Sequence, residues 1–142
     1  MNIKYTLFSA LLILAGCAST QSAKAATLKI VVDGVSKTNG TVTASLFNNE
    51  AGWLKTGIKN NNTKPVVPST ELVFTDVQPG DYAVYVHDDV NGNGVLDKSW
   101  FGKPKEPYGF SNDSGHMFGP AKWNEAKFTV ADKDVVIHIH VK

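Results

Sequence analysis

Oxygen-bearing side chains recur at alternate positions immediately after a predicted strand, and a glycine follows the third of them. This is the spacing of the first half of an EF-hand calcium loop, in which alternate side chains converge on one ion and the glycine permits a sharp turn. The predicted ligands are Asp89, Asn91, Asn93, the backbone carbonyl of Val95, and Asp97. The spacing therefore predicts a Ca²⁺ site in this loop.

The loop departs from an EF-hand in two ways. Its twelfth position is Trp100, where an EF-hand has a bidentate Glu, and a strand precedes it where an EF-hand has a helix. A complete site would need a further carboxylate, such as Asp88 or Asp113, and we expect weak affinity typical of extracellular modules. The alternative is that Asn91-Gly92 and Asn93-Gly94 only supply turn residues with positive φ.

The connection that follows is rich in aromatic residues. It contains Trp100, Phe101, Tyr108, Phe110, Phe118 and Trp123. One interpretation is a rigid surface that binds a glycan, a peptide or a partner surface, with Trp100, Tyr108 and Phe110 as the ligand-facing residues. The other is that the loop folds back and buries most of its rings as a satellite core. We expect the second for most rings, with Trp100 and Tyr108 left partly exposed.

Two histidines alternate on one face of the last predicted strand. His138 and His140 are spaced to chelate Zn²⁺ or Cu²⁺, whereas His87 and His116 fall elsewhere in the sequence. They support an alternative function, a periplasmic transition-metal binding protein. Alternating histidines are also typical of a solvated strand face.

Ser111, Asp113, Ser114 and His116 fall within one short segment. A catalytic triad needs these groups brought together on a fixed scaffold, beside an oxyanion hole. No Gly-x-Ser-x-Gly turn or reactive cysteine accompanies them. Turn formation and capping explain these residue types, so we predict no catalytic residues and no enzymatic activity.

The elements that must position these side chains are short strands. Period-two alternation predicts strands at residues 27–33, 41–48, 71–76, 81–88, 127–131 and 135–141. Turn residues separate them, and no segment has a helical period of useful length. Long connections at 49–70 and 98–125 have room for a further strand or a helical turn, the latter at residues 50–55. The pattern predicts an all-β antiparallel β-sandwich of about seven strands.

The segment from Val77 to Val130 resembles one family of exported bacterial proteins, domain of unknown function 2141. The resemblance is carried by Pro79-Gly80-Asp81-Tyr82, His87-Asp88, Asn91-Gly92-Asn93-Gly94, Leu96-Asp97, Phe101-Gly102, the run from Pro104 to Asn112, and Phe118-Gly119-Pro120. It implies an exported β-sandwich of prealbumin-like or immunoglobulin-like type. It implies no activity, because the family has none assigned.

The first residues read as an export signal with two alternative cleavage sites. A short apolar run ends in Leu14-Ala15-Gly16-Cys17, which resembles a lipobox with Cys17 as the lipidated residue. We expect residues 1–17 to be the signal segment, 18–26 a tether and 27–142 the β-sandwich. For a lipoprotein, Ala18 after the cysteine implies the outer membrane. The alternative is cleavage after Ala25, which would release a soluble periplasmic or secreted protein.

Charge composition excludes one class of partner. All fourteen cationic side chains are lysines, and from Cys17 onward thirteen lysines balance thirteen acidic residues. Nucleic-acid binding needs a basic face and usually arginine, so we expect no such partner. The sequence thus predicts a non-enzymatic binding or structural module of the cell envelope. We expect an unidentified envelope protein or glycan as its partner, and membrane attachment only through Cys17.

Overall fold

The computed structural model describes residues 24–116 and 119–142. Eight strands make up most of this part of the chain: β1 (Ala26–Asp33), β2 (Thr41–Phe47), β3 (Lys59–Thr63), β4 (Ser69–Val77), β5 (Gly80–Asp89), β6 (Tyr108–Phe110), β7 (Phe128–Val130) and β8 (Val135–His140). A short helix, α1, spans Trp123–Ala126, and a 3₁₀ segment spans Ser111–Asp113. The predicted signal segment with Cys17, residues 18–23 of the predicted tether, and the loop residue Phe118 lie outside the described residues.

The strands form two sheets. The smaller has the order β4-β1-β8, and the larger has the order β3-β2-β5-β6 with β7 paired to the first residues of β5. The predicted all-β sandwich is confirmed. One pairing differs from the prediction, because β8 runs parallel to β1. The chain reaches β8 from β7, which belongs to the other sheet, so no tight hairpin forces an antiparallel pairing.

The alternation of apolar and polar residues in the sequence predicts the core residues of these strands correctly. Leu28, Ile30 and Val32 of β1 are fully buried, and so are Val84 and Val86 of β5. Together with apolar residues of β2, β4, β7 and β8 they fill the space between the two sheets. The six predicted strands correspond to β1, β2, β4, β5, β7 and β8, whereas β3 and β6 lie in the two long connections.

A second apolar cluster covers the outer face of the larger sheet. Its buried members are Phe47, Trp53, Ala83, Phe110, Ala121, Trp123 and Ala126. The helical turn expected at residues 50–55 is a hydrogen-bonded turn, in which the backbone N–H of Trp53 donates to the carbonyl of Glu50. The Trp53 indole N–H donates to the carbonyl of Ala121 at 2.8 Å, which fixes the later loop against the sheet.

Strand directions place the predicted metal loop at one pole of the sandwich. Ala26 pairs with Val77, close to the beginning of β5 at Gly80, whereas Asp89 ends β5 at the opposite pole. Ten strand residues separate the two poles by roughly 30 Å. Within residues 24–116 and 119–142, no helix has the length and apolar character to cross a membrane.

Candidate functional site

The candidate site is built on the connection between β5 and β6, which leaves the sheet at Asp89 and returns at Tyr108. Asp89 is 3% exposed, and the backbone of the loop curves around its carboxylate. One oxygen accepts the backbone N–H groups of Gly92 (2.7 Å) and Asn93 (3.2 Å), and the other accepts that of Gly94 (2.7 Å). Both glycines have positive φ, which this tight course of the backbone requires.

The side chains of Asn91, Asn93 and Asp97 are joined by hydrogen bonds. The side-chain amides of Asn91 and Asn93 both donate to the carboxylate of Asp97, the second at 3.1 Å. The side-chain oxygens of the two asparagines accept the backbone N–H groups of Asn93 and Val95, each at 3.0 Å. An amide oxygen has two lone pairs, so one can accept a backbone N–H while the other faces a cation.

Glu106, which sequence reasoning missed, is the carboxylate that closes the loop. One oxygen accepts the backbone N–H groups of Val90 (3.0 Å) and Asn91 (3.5 Å). The other accepts the backbone N–H of Asp97 at 3.0 Å and lies 3.1 Å from His87 Nε2. One signal could have found it, since Glu106 is the only acidic residue between Asp97 and Asp113.

Neither carboxylate suggested from the sequence completes the loop. Asp113 instead binds the Nδ1 atom of His140 at 2.7 Å. Asp88 follows the side-chain alternation of β5, so it projects opposite to Asp89. It is 1% exposed, and neither of its carboxylate oxygens has a hydrogen-bond partner in the part of the chain described here. Burial raises the pKa of Asp88 above its ordinary value.

His87, Asp89 and Glu106 are the candidate metal-ligating group among the described residues. One ligand atom of each lies within 4.8 Å of the other two, and all three side chains are buried. Asp89 is the one residue that this group shares with the predicted calcium ligands. The two carboxylates of this group are ligands that Ca²⁺ prefers, whereas the His87 nitrogen is a ligand of Zn²⁺ and other transition metals. The group therefore offers a mixed set of ligands to a divalent cation.

The hairpin ends in two exposed aromatic rings. Trp100 is 96% exposed and Phe101 is 63% exposed, and their ring centroids lie 5.2 Å apart at an interplanar angle of 84°. The backbone N–H of Gly102 donates to the carbonyl of Ser99 at 2.9 Å, so the two rings occupy the centre of a turn. Lys98 and Pro104 bridge the two arms of the hairpin. The tip therefore projects from a hydrogen-bonded stem.

The other predicted ligand-facing residues lie nearer the core. Tyr108 is half-buried, and Phe110 is 3% exposed within the second apolar cluster. Both border a groove with His116 and His140, but Phe110 offers almost no surface to a ligand. Trp123 is also buried. The loop thus buries three of its rings at least in part and exposes Trp100 and Phe101 at its tip.

The four histidines have separate carboxylate partners. His138 Nδ1 lies 2.9 Å from Asp33, and His140 Nδ1 lies 2.7 Å from Asp113. His116 pairs with Glu125 at 2.9 Å. The hydrogen bonds from Ser69 and His138 hold the pKa of Asp33 below its ordinary value. No pair of histidines belongs to a group of three potential metal ligands in the residues the structure describes.

The serines of the predicted loop are occupied structurally. Ser111 is fully buried, and its hydroxyl donates to the carbonyl of Ala126 at 2.6 Å and accepts the backbone N–H of Val84 at 2.9 Å. The Ser114 hydroxyl donates to the carbonyl of Ser111. His116 is bonded to neither serine, since its ring nitrogen faces Glu125. This geometry joins the 3₁₀ segment to β5 and α1.

Comparison with known proteins identifies the family of this chain. Residues 30–138 match the model of a family described as an uncharacterized protein conserved in bacteria, DUF2141. No curated protein and no solved structure matches the chain. The match covers more than half of the chain, including the whole hairpin and all or part of every strand, so the chain belongs to the DUF2141 family.

Proposed function

We propose that this DUF2141 protein is an exported cell-envelope binding module without catalytic activity, and that the Trp100–Phe101 tip is its partner-binding element. The observation that carries the proposal is the exposure of Trp100, 96% of whose surface faces solvent in a chain that buries its other two tryptophans. A large apolar ring held in water on a projecting turn is typical of an interaction site.

The stem of the hairpin supports a binding role because it is fixed before any partner arrives. Buried carboxylates of Asp89 and Glu106 accept six backbone N–H groups of the loop between them, from Val90, Asn91, Gly92, Asn93, Gly94 and Asp97. A rigid stem reduces the ordering cost of binding, so more of the contact energy of the tip is available for affinity.

We include a weak structural Ca²⁺ site in this proposal. Two observations support it: Asn91 and Asn93 are hydrogen-bonded to Asp97, and the loop backbone folds around the buried carboxylate of Asp89. The Val95 carbonyl would be the fifth ligand, at the position where a calcium loop uses its backbone. Bound Ca²⁺ would replace amide donors at Asp97 and stiffen the stem. Its role would be structural, with the low affinity of an extracellular module.

Export and attachment complete the proposal. Residues 14–17 form the lipobox-like sequence that supports lipidation of Cys17 and an outer-membrane location. Labelling with a radioactive fatty acid should mark the wild type and leave Cys17→Ala unlabelled. Equal labelling of the two proteins would exclude lipidation at this residue.

The alternative function is transition-metal binding by the surface histidines. His138 and His140 project from the same face of β8, which favours it, but each is paired with a different carboxylate. A rise in melting temperature with Zn²⁺ or Cu²⁺, lost in His138→Ala/His140→Ala, would support this alternative over the Ca²⁺ loop.

A sedimentation experiment tests the binding role. The exported Cys17→Ala protein, which has no acyl chain, is mixed with isolated envelopes, and its bound fraction is compared with and without Trp100→Ser/Phe101→Ser. We expect binding to fall at least about tenfold in the double variant, because buried aromatic anchors dominate such contacts. Val136→Ser is the matched control, since Val136 is 58% exposed on the smaller sheet and should bind normally. Equal binding by all three proteins would exclude the tip as the binding element.

A further inference from the structure

The exposed tip is surrounded by positive charge. Residues 98–105 contain Lys98, Lys103 and Lys105 and no acidic residue. All three lysines are exposed, and none forms an ion pair with a described residue. The acidic residues on either side, Asp97 and Glu106, already accept hydrogen bonds from the loop. The tip is therefore a local cationic site on a chain that carries almost no net charge.

The shape of the tip restricts what it can bind. Trp100 and Phe101 meet at 84° on a convex turn, so they do not form a common flat face on which a sugar or an extended peptide would lie. Two exposed aromatic rings at the end of a narrow projection can instead enter a deformable apolar layer. Trp is enriched at the membrane–water interface, where its ring is buried among headgroups and its N–H stays hydrated.

We propose that the Trp100–Phe101 tip docks on an anionic phospholipid surface. The two rings enter the interface, and Lys98, Lys103 and Lys105 lie against the phosphate groups. This inference rests on the proposed binding role of the tip and names its partner. It combines apolar insertion with electrostatic attraction, the two contributions that together hold peripheral proteins on membranes.

The contact is distinct from the predicted attachment through Cys17. The tip lies at the pole where β5 ends, and Ala26 lies at the other pole. The docking surface is therefore a separate membrane contact, which should persist in the exported Cys17→Ala variant, a protein without an acyl chain. That variant is the background for the test, because lipidation would otherwise hold the protein on any vesicle.

Vesicle flotation tests the proposal. The exported Cys17→Ala protein is mixed with vesicles of phosphatidylcholine, or of phosphatidylcholine with phosphatidylglycerol, and the floated fraction gives the affinity. We expect binding to the anionic vesicles that weakens as salt is raised. Lys98→Gln/Lys103→Gln/Lys105→Gln should weaken it roughly one hundredfold, at about fivefold per lysine. Trp100→Ala/Phe101→Ala should weaken it at least about tenfold.

Matched controls separate the tip from general effects of charge. Lys55, Lys64 and Lys133 are exposed lysines in other loops, and their replacement by Gln should leave flotation nearly unchanged. Thermal unfolding of each variant checks that it is folded. Equal flotation with neutral and anionic vesicles, or equal losses in the two lysine triple variants, would overturn the proposal.

A further outcome distinguishes this inference from the proposed function. If the protein does not float with either vesicle but still binds whole envelopes through Trp100 and Phe101, the lipid proposal is wrong and the binding role stands with a protein or glycan partner. If envelope binding is also independent of the tip, both are wrong.

Discussion

His87 Nε2 lies 3.1 Å from Glu106 Oε2, and more than nine-tenths of each side chain is buried. His87 belongs to β5, and Glu106 stands just before β6. The same carboxylate also accepts backbone N–H groups from Val90 and Asp97. One acidic side chain therefore joins the outgoing and returning arms of the hairpin to the sheet, so the position of the aromatic tip depends on it.

Replacing Glu106 with Gln should destabilise the protein by roughly 2–3 kcal/mol. The amide would retain one acceptor but would direct an N–H₂ group toward other N–H donors, leaving buried donors without a partner. Urea denaturation measures the change in the free energy of unfolding.

Glu71→Gln is the matched control for Glu106→Gln. Glu71 forms an ion pair with Lys29 at 3.0 Å, but its side chain is 59% exposed, so its replacement should change stability by no more than about 0.5 kcal/mol. If the two variants lost the same stability, Glu106 would have no special role in the hairpin.

Asp88 should make the stability of the protein fall as the pH rises. Burial raises its pKa above the ordinary value of 3.8, so the folded state holds the proton more tightly than the unfolded state. Relative to Asp88→Asn, the wild type is most stable below that ordinary value and loses stability as the pH rises through its folded pKa. At neutral pH, Asp88→Asn should be more stable by on the order of 1 kcal/mol. Urea denaturation across this pH range measures the difference.

Asp33 should show the opposite pH dependence. Hydrogen bonds from Ser69 and His138 lower its pKa, so its carboxylate stabilises the folded state above the ordinary value of 3.8. That contribution is lost as the pH falls through the lowered folded pKa. Asp33→Asn should therefore lose stability at neutral pH and approach the wild type in acid. The same slope for the Asp33 and Asp88 variants would contradict the two assignments.

Calcium should raise the melting temperature of the exported protein. For a dissociation constant of about 10⁻⁴ to 10⁻³ M, roughly 10 mM Ca²⁺ adds about 1.4–2.7 kcal/mol of stability. The corresponding rise is roughly 5–10 °C. Calorimetry with Ca²⁺, Mg²⁺ or EDTA measures it, and Mg²⁺ should have a smaller effect because it demands octahedral ligation.

Two variants locate the calcium effect in the loop. Asp97→Asn removes an anionic ligand, and Asp89→Ala removes the central carboxylate, so both should abolish the Ca²⁺-dependent rise. Asp81→Asn is the control and should retain the rise. The exposed Asp81 carboxylate accepts hydrogen bonds from Thr129 in β7 and from Lys127, the residue before that strand. A Ca²⁺ effect that survived in Asp97→Asn and Asp89→Ala would exclude this site.

Ser111→Ala should destabilise the protein by about 2 kcal/mol. Its buried hydroxyl joins Val84 of β5 to Ala126 of α1, and alanine would leave both backbone groups without that partner. Ser114→Ala should cost less, because Ser114 is only half-buried and bonds locally. Urea denaturation compares the two, and a neutral Ser111→Ala would show that this hydroxyl is not a structural link.

The strands that alternate strongly were predictable, and the others were not. Leu28, Ile30 and Val32 identify β1 because each side chain on one face is apolar. β3 has the sequence Lys-Asn-Asn-Asn-Thr and is held by backbone pairing with β2, so it has no hydrophobic pattern to detect. β6 has only three residues. Both depend on long-range pairing that the local sequence does not encode.

The site was predictable only where its residues are close in sequence. Asp89, Asn91, Asn93 and Asp97 follow a regular spacing, and in the structure both asparagine side chains donate to the carboxylate of Asp97. Glu106 lies beyond the hairpin tip, so its place beside Asp89 depends on how the two arms pair. Phe110 is buried and Phe101 is exposed because Phe110 packs in one cluster with Trp53 and Trp123. The contact with Trp53 joins residues distant in sequence, so the local pattern does not predict it.

Fluorescence quenching of Trp100 tests the binding role of the tip most directly. Trp53 and Trp123 are each 8% exposed, so acrylamide should quench mainly the 96% exposed Trp100, and Trp100→Phe should remove the quenched component. On addition of isolated envelopes, we predict that this component becomes protected while the buried tryptophans are unchanged. If the protein binds envelopes and Trp100 remains as accessible to acrylamide as before, the tip is not the contact and the central claim is wrong.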